Sequence, residues 1–70
     1  MDDELHRRLA ERIQALQKAR DFTQEQLADF AVVGRGYLSA ILRCKQSPTV
    51  RTLQKLARAL GVTVKELFPG

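Results

Sequence analysis

The side chains that most often carry chemistry are scarce in this 70-residue chain. It holds one histidine, His6, and one cysteine, Cys44, which are too few soft ligands for a structural zinc site and leave any Ser/His/Asp or Cys/His catalytic set dependent on His6, predicted to be a solvated residue. The acids Asp2, Asp3 and Glu4 lie at the start of a predicted helix, where they complement the positive end of its dipole. We therefore predict that the protein is not an enzyme and needs no metal or cofactor.

Basic side chains in the second half of the chain indicate a different chemistry, the binding of a polyanion. Residues 31–70 hold seven Lys and Arg and a single acid, Glu66, whereas residues 1–30 carry a net charge of −2. Such a surface suits a phosphate backbone, because each neutralised phosphate releases counterions. A solvated basic face is the alternative interpretation, and charge alone does not decide between the two.

One short helix, predicted over about residues 35–43, places its polar chemistry on a single face. At about 100° per residue, one half of this helix is apolar and consists of Tyr37, Leu38, Ile41 and Leu42. The other half has an arginine at each end and only small residues between them. It consists of Arg35, Gly36, Ser39, Ala40 and Arg43. A helix with this face fits a DNA major groove about 12 Å wide. An ordinary amphipathic helix of a small bundle is the alternative.

Helical periodicity recurs along the rest of the chain, without any useful length of strand-like alternation. The first helix is predicted from about Asp3 to Arg20, with His6 on a solvated polar face. Its core side is predicted to be Leu5, Leu9, Ile13 and Leu16. A second helix, over about residues 24–30, begins at the capping box that Thr23 opens. Together with the helix at 35–43 it forms a helix-turn-helix arrangement.

Two further helices complete the predicted bundle. The fourth helix runs from Val50 to Leu60 and ends at Gly61, the expected left-handed residue. A second capping box, opened by Thr63, starts a one-turn fifth helix that stops at Pro69. We therefore predict an all-α, compact five-helix bundle in which residues 1–70 form a single helix-turn-helix domain.

Three segments carry a resemblance to a known family, and they read RIQALQKARDFTQEQLAD, GRGYLSAI and SPTVRTLQKLARALGVTVKELF. From Leu9 to Phe68 the chain resembles the helix-turn-helix domain shared by lambda-type phage repressors, Cro and Xre-like regulators. That group includes the controller proteins of restriction-modification systems. The resemblance implies a five-helix fold that binds double-stranded DNA as a homodimer, with the third helix in the major groove.

The resemblance and the helical wheel together give a set of expected DNA contacts. The family pattern places base contacts at Arg35, Ser39 and Ala40, and the wheel adds Gly36 and Arg43. Arg43 could equally hold a phosphate. Gln24 matches the family's glutamine that grips the DNA backbone. The expected backbone contacts are Thr23, Gln24, Tyr37, Lys45, Gln46, Ser47 and Arg51.

A dimer interface is predicted at the fifth helix. Its apolar side chains are too many for one turn to hide against its own domain, and they are Val62, Val64, Leu67 and Phe68. The alternative is that Leu67 and Phe68 fold back onto the first helix and leave the protein monomeric.

Four departures from the family pattern raise specific expectations. Val32 stands where the family has glycine, and because a β-branched residue is strained at positive φ, we expect this turn to take a different path. Gly36 replaces a contacting side chain and permits close approach of the backbone to DNA. Leu42 faces either the core or a thymine methyl, with the core favoured. Cys44 lacks the easy left-handed conformation of the family's glycine.

These observations predict a sequence-specific DNA-binding transcriptional regulator that occupies a pseudo-palindromic operator as a homodimer. Two roles fit, a restriction-modification controller protein and a repressor of a phage, plasmid or toxin-antitoxin system. A protein-interaction module and a nonspecific nucleoid-type DNA binder are the alternatives. The longest apolar run, residues 30–33, is far short of a membrane span, so we expect a cytoplasmic bacterial protein without a membrane or small-molecule partner.

Overall fold

Five α-helices account for most of residues 3–68, the part of the chain that the computed structural model describes. They are α1 (Asp3–Ala19), α2 (Gln24–Ala31), α3 (Arg35–Leu42), α4 (Val50–Leu60) and α5 (Val64–Leu67). No strand occurs in this part of the chain. The predicted five-helix, all-α architecture is confirmed. Asp2 and Pro69, to which the sequence assigned roles at the two ends, lie outside the described residues.

Side-chain caps start α2, α4 and α5. At α2 the predicted capping box is complete, because Gln26 N–H donates to Thr23 Oγ1 over 3.0 Å and Thr23 N–H donates to Gln26 Oε1 over 2.9 Å. Thr63 Oγ1 likewise accepts from Glu66 N–H over 3.3 Å. The fourth helix ends at Gly61 in the left-handed conformation, as predicted, with φ 72°. These local signals fix where the helices begin and end.

The buried face of α1 is rotated from the predicted one. Leu9, Ala10 and Ile13 lie in the core, but His6 is only 6% exposed whereas Leu5 is 39% exposed. The prediction of a solvated His6 was therefore wrong. Positions 6, 9, 10 and 13 share one helical stripe, and Leu5 lies at its edge. With this face buried, two polar atoms of α1 lack hydrogen bonds. Nε2 of His6 and Oε1 of Gln17 are buried with no hydrogen-bond partner among the described residues.

The turn between α2 and α3 keeps the left-handed conformation despite its valine. Val32 has φ 57° and ψ 49°, so the expectation of a different path was wrong. Its N–H donates to Asp29 O over 3.2 Å and that of Val33 donates to Ala28 O over 3.0 Å. These bonds satisfy the carbonyl groups at the end of α2 and hold the strained residue in place.

Cys44 follows α3 in the same strained conformation. Its φ is 59°, and the flanking N–H groups close the helix in the same way, with Lys45 N–H donating to Ala40 O over 2.8 Å. The left-handed residues on the two sides of α3, Val32 and Cys44, are therefore both residues other than glycine.

The short helix α5 packs on α4 and α1 and contributes to the core. Leu67 is fully buried, and Arg12 of α1 donates from Nε to the Glu66 carbonyl over 3.1 Å. Leu67 thus folds back onto its own domain and is unavailable to a partner, which corrects its assignment to a dimer interface. Val62, Val64 and Phe68 pack against the core but stay partly exposed. Among the described helices, none combines the length and apolar character that a membrane crossing requires.

Candidate nucleic-acid interface

One side of α3 anchors the helix in the core. Leu38 and Ile41 are fully buried and Leu42 is 8% exposed. Leu42 therefore packs in the core, as the sequence favoured, and is not free to meet a base. With its apolar side held in this way, α3 can present only its opposite side to a ligand.

The opposite side of α3 is open along its length. Arg35, Gly36 and Arg43 are exposed, and Ser39 and Ala40 between them are half-buried. A Cβ atom at Gly36 would meet nothing within 4 Å. All five residues predicted to face bases therefore share one shallow face, on which only the two arginines project far from the helix.

Arg35 is held by two carboxylates of α2. Its Nε donates to Asp29 Oδ1 over 3.2 Å and its Nη2 to Asp29 Oδ2 over 2.8 Å, while Nη1 donates to Glu25 Oε2 over 3.2 Å. The fork of the guanidinium thus matches the Asp29 carboxylate, as in bidentate Arg–carboxylate pairs. Hydrogen bonding to Arg35 lowers the pKa of Asp29, and the same hydrogen bond raises the pKa of Arg35.

Sequence reasoning missed this cluster. The signal was available in part, since Glu25 and Asp29 are four residues apart on an exposed face of a predicted helix. The sequence spacing does not predict the angle between α2 and α3. That angle determines whether Arg35 can reach the carboxylates of α2.

The expected DNA-backbone contacts lie on α3 itself, at Tyr37, and at three places around it. These three places are the start of α2, the loop over residues 43–49, and the start of α4. Most of these side chains are exposed, whereas Gln24 and Tyr37 are half-buried; the full set is Thr23, Gln24, Tyr37, Lys45, Gln46, Ser47 and Arg51. The structure contains no nucleic acid, so their contacts remain predictions.

Tyr37 is tied to the start of α4 by a chain of hydroxyl groups. Thr52 Oγ1 donates to Tyr37 Oη over 3.4 Å and lies 2.9 Å from Thr49 Oγ1, which caps α4. Because the Tyr37 hydroxyl serves here as the acceptor, its own proton is left for another acceptor, such as a phosphate oxygen. This link couples the position of α3 to the loop that precedes α4.

The described residues offer no constellation for metal chemistry. No group of three or more His, Cys, Asp or Glu side chains among residues 3–68 is placed to hold a metal ion. The open side of α3 and the loop after it form a polar and cationic surface with small side chains, which suits binding to a groove.

Comparisons with known proteins give this geometry a context. Residues 13–67 match a protein family described as helix-turn-helix. The chain is 41% identical over 59 residues to the immunity repressor protein of Bacillus phage phi105, covering 84% of this chain and 41% of the repressor. It is 34% identical over 60 residues to control protein C.SmaI of Serratia marcescens, covering 86% of this chain and 71% of that protein. The chain thus spans less than half the length of the phage repressor.

Solved structures resemble the fold closely. The restriction-modification controller protein C.AhdI of Aeromonas hydrophila superposes with a TM-score of 0.86 at 28% identity, over 90% of this chain and 96% of that chain. A hypothetical transcription factor, NHTF, from Neisseria superposes with a TM-score of 0.89 at 28% identity, over 99% of this chain and 80% of that chain.

Proposed function

This chain belongs to the helix-turn-helix family of DNA-binding transcriptional regulators, and from that premise we propose that it occupies a pseudo-palindromic operator as a homodimer. The observation that carries DNA binding is the open face of α3, where small side chains lie between Arg35 and Arg43. Such a face can approach base edges closely while its apolar side stays in the core. The partly exposed apolar residues Val62, Val64 and Phe68 support the homodimer.

The position of each residue determines whether it is proposed to contact a base or a phosphate. Arg35, Gly36, Ser39, Ala40 and Arg43 face bases. Phosphates are bound by the start of α2, by the loop after α3, by the start of α4 and by the tyrosine hydroxyl of α3. The residues are Thr23, Gln24, Tyr37, Lys45, Gln46, Ser47 and Arg51. Phosphate contacts fix register and base contacts fix sequence.

The biological role follows one of two patterns seen in the relatives. One relative is named an immunity repressor and another a control protein, so we propose a repressor of a phage-like element or a controller of a restriction-modification operon. An adjacent methyltransferase and nuclease gene would identify the second role.

Selection of bound sites from random double-stranded DNA tests the proposal. We expect a two-fold symmetric consensus with half-sites about 10 bp apart, centre to centre. Recovery of DNA without a consensus would indicate a nonspecific binder, and no recovery at all would indicate a protein-interaction module.

Two matched variants separate base contacts from phosphate contacts on the selected site. Arg35→Ala should cost about 1–3 kcal/mol on that site and relax the preference at one base pair per half-site. Lys45→Ala should weaken binding to selected and random DNA alike. If Arg35→Ala lowers both affinities equally, Arg35 contacts the backbone and not a base.

A further inference from the structure

The carboxylates of Glu25 and Asp29 occupy a place where a DNA-binding surface gains nothing from negative charge. Both lie on α2, exposed, and both are directed at the guanidinium of Arg35 over 2.8–3.2 Å. Most exposed ion pairs add little to stability, and the exceptions are bidentate or networked pairs such as this one, whose geometry is well defined. The direct consequence of the cluster is that the guanidinium of Arg35 is held in one orientation on the open face.

The hydrogen bonds leave a defined part of the guanidinium free. Arg35 has five N–H donors, of which Asp29 takes one on Nε and one on Nη2, and Glu25 takes one on Nη1. One N–H on Nη1 and one on Nη2 remain. Direct recognition of guanine requires these two donors to pair with its two major-groove acceptors, O6 and N7.

The charges of the cluster discriminate between possible acceptors. One arginine and two carboxylates sum to a net charge of −1, so a phosphate that approaches Arg35 meets repulsion from both acids. A guanine edge carries no net charge and meets no comparable penalty. The arginine side chain is also ordered before binding, so less rotamer freedom is lost when it meets a base.

We infer that Asp29 and Glu25 are positioning residues that direct Arg35 to a guanine and away from phosphate, and so help to set sequence specificity. This inference rests on the proposed function, because it requires Arg35 to meet a base. The acids act through Arg35 and need not touch DNA themselves.

The test compares affinity for the selected operator with affinity for random DNA of the same length. Asp29→Asn removes one charge and one acceptor of the fork, so affinity for random DNA should rise while the ratio of operator to random affinity falls about tenfold. The loss of preference should fall at the same base pair that Arg35→Ala relaxes. Glu25→Gln, which removes one charge but keeps an amide oxygen able to accept from Arg35, should lower the ratio by a smaller factor.

Asp21→Asn is the matched control. Asp21 is also exposed and acidic, lies outside the cluster, and has φ 56°, a conformation that asparagine tolerates. This variant changes the net charge equally and should leave the ratio unchanged. An equal fall in Asp21→Asn would assign the effect to general electrostatics and overturn the inference.

The Arg35→Ala background separates the inference from the proposed function. There, Asp29→Asn should no longer change the ratio, because no guanidinium remains to be directed. If the unaltered protein shows no sequence preference, the proposed function fails. If it shows one that depends on Arg35 but not on Asp29 or Glu25, the inference alone fails. Melting curves of each variant confirm that every protein compared is folded.

Discussion

At Gly36, a substitution that stabilises the fold is expected to weaken DNA binding. This glycine lies within α3, where glycine is less favourable than alanine, and a Cβ there would meet nothing within 4 Å. Gly36→Ala should therefore raise the free energy of unfolding by about 0.5–1 kcal/mol, measured by thermal or urea denaturation. If α3 approaches DNA closely at this point, the added methyl group should weaken operator binding by roughly 1–3 kcal/mol.

A neighbouring glycine provides the control for that pair of measurements. Gly34 caps α3 without a side-chain hydrogen bond, and an added Cβ would lie 3.8 Å from Tyr37 Cβ, an ordinary contact. Gly34→Ser should change stability by only a few tenths of a kcal/mol and leave operator binding intact. Stabilisation by Gly36→Ala with unchanged binding would show that the backbone does not approach DNA there.

The Asp29 carboxyl offers a direct reporter of the Arg35 cluster in the free protein. The hydrogen bond from Arg35 lowers its pKa, so Arg35→Ala should return that pKa toward the ordinary value, as followed by carboxyl-carbon NMR titration. Glu4, whose pKa is lowered by Arg7 and Arg8, should not respond. An unchanged Asp29 titration would show that the pair does not form in solution.

The same shift fixes the sign of a pH dependence. A carboxyl with a depressed pKa in the folded state binds protons less readily than it does unfolded, so the pair contributes stability above the unfolded pKa of about 3.9. That contribution is lost as the pH falls through the folded pKa. The stability difference between the unaltered protein and Arg35→Ala should therefore be constant near neutrality and change only below about pH 4.

The two ends of α3 are each framed by a left-handed residue that is not glycine. Val32 is 76% exposed and Cys44 is also exposed, so little packing is lost when either is replaced. Val32→Gly and Cys44→Gly should each stabilise the fold by up to about 1 kcal/mol, because relief of a strain of roughly 1–2 kcal/mol outweighs the added freedom of the unfolded chain.

Val50 is the matched control for both replacements. It is similarly exposed, at 69%, but lies inside α4 with helical backbone. Val50→Gly should lower stability by a few tenths of a kcal/mol in the same denaturation assay. Destabilisation by Val32→Gly would mean that the exposed isopropyl group contributes more than the strain costs.

The helices could be predicted because their signals are local. Thr23 and Gly61 mark boundaries through hydrogen bonds and φ angles that involve only nearby residues. The rotation of α1 could not be predicted in the same way. Leu5 and His6 are adjacent in sequence, and which of them enters the core depends on the surface that α3 and α5 present to α1.

The buried face of α3 could be predicted because it depends on the periodicity of one helix. The wheel placed Leu38, Ile41 and Leu42 in the core. It could not show that Arg35 pairs with Asp29, because that contact joins two helices across a turn whose left-handed valine was expected to change its path. Contacts between elements, unlike faces of one element, require the tertiary geometry.

At the scale of the whole molecule, the partly exposed apolar surface near α5 bears on assembly. Val62, Val64 and Phe68 pack against the core yet remain partly exposed. A 70-residue domain without a disulfide has a small margin of stability from its own core, so burial of this surface in a dimer would stabilise the fold as well as pair two copies of α3.

The homodimer prediction is tested by comparing a variant of that surface with a variant of the core beneath it. Val62→Ser combined with Val64→Ser should keep the helical circular dichroism but shift sedimentation at tens of micromolar toward the monomer and weaken operator binding. Leu67→Ala, at a fully buried side chain, should instead lower the free energy of unfolding by about 2–5 kcal/mol.

The two outcomes differ because an interface residue affects association while a core residue affects folding. Loss of the dimer in the Val62 and Val64 variant, with a cooperatively melting helical fold retained at low concentration, would place the two-fold axis at this surface. That axis would set the two copies of α3 about 34 Å apart, on successive major grooves. An unaltered protein that sediments as a monomer, and binds DNA as one copy, would contradict both the dimer and the symmetric operator.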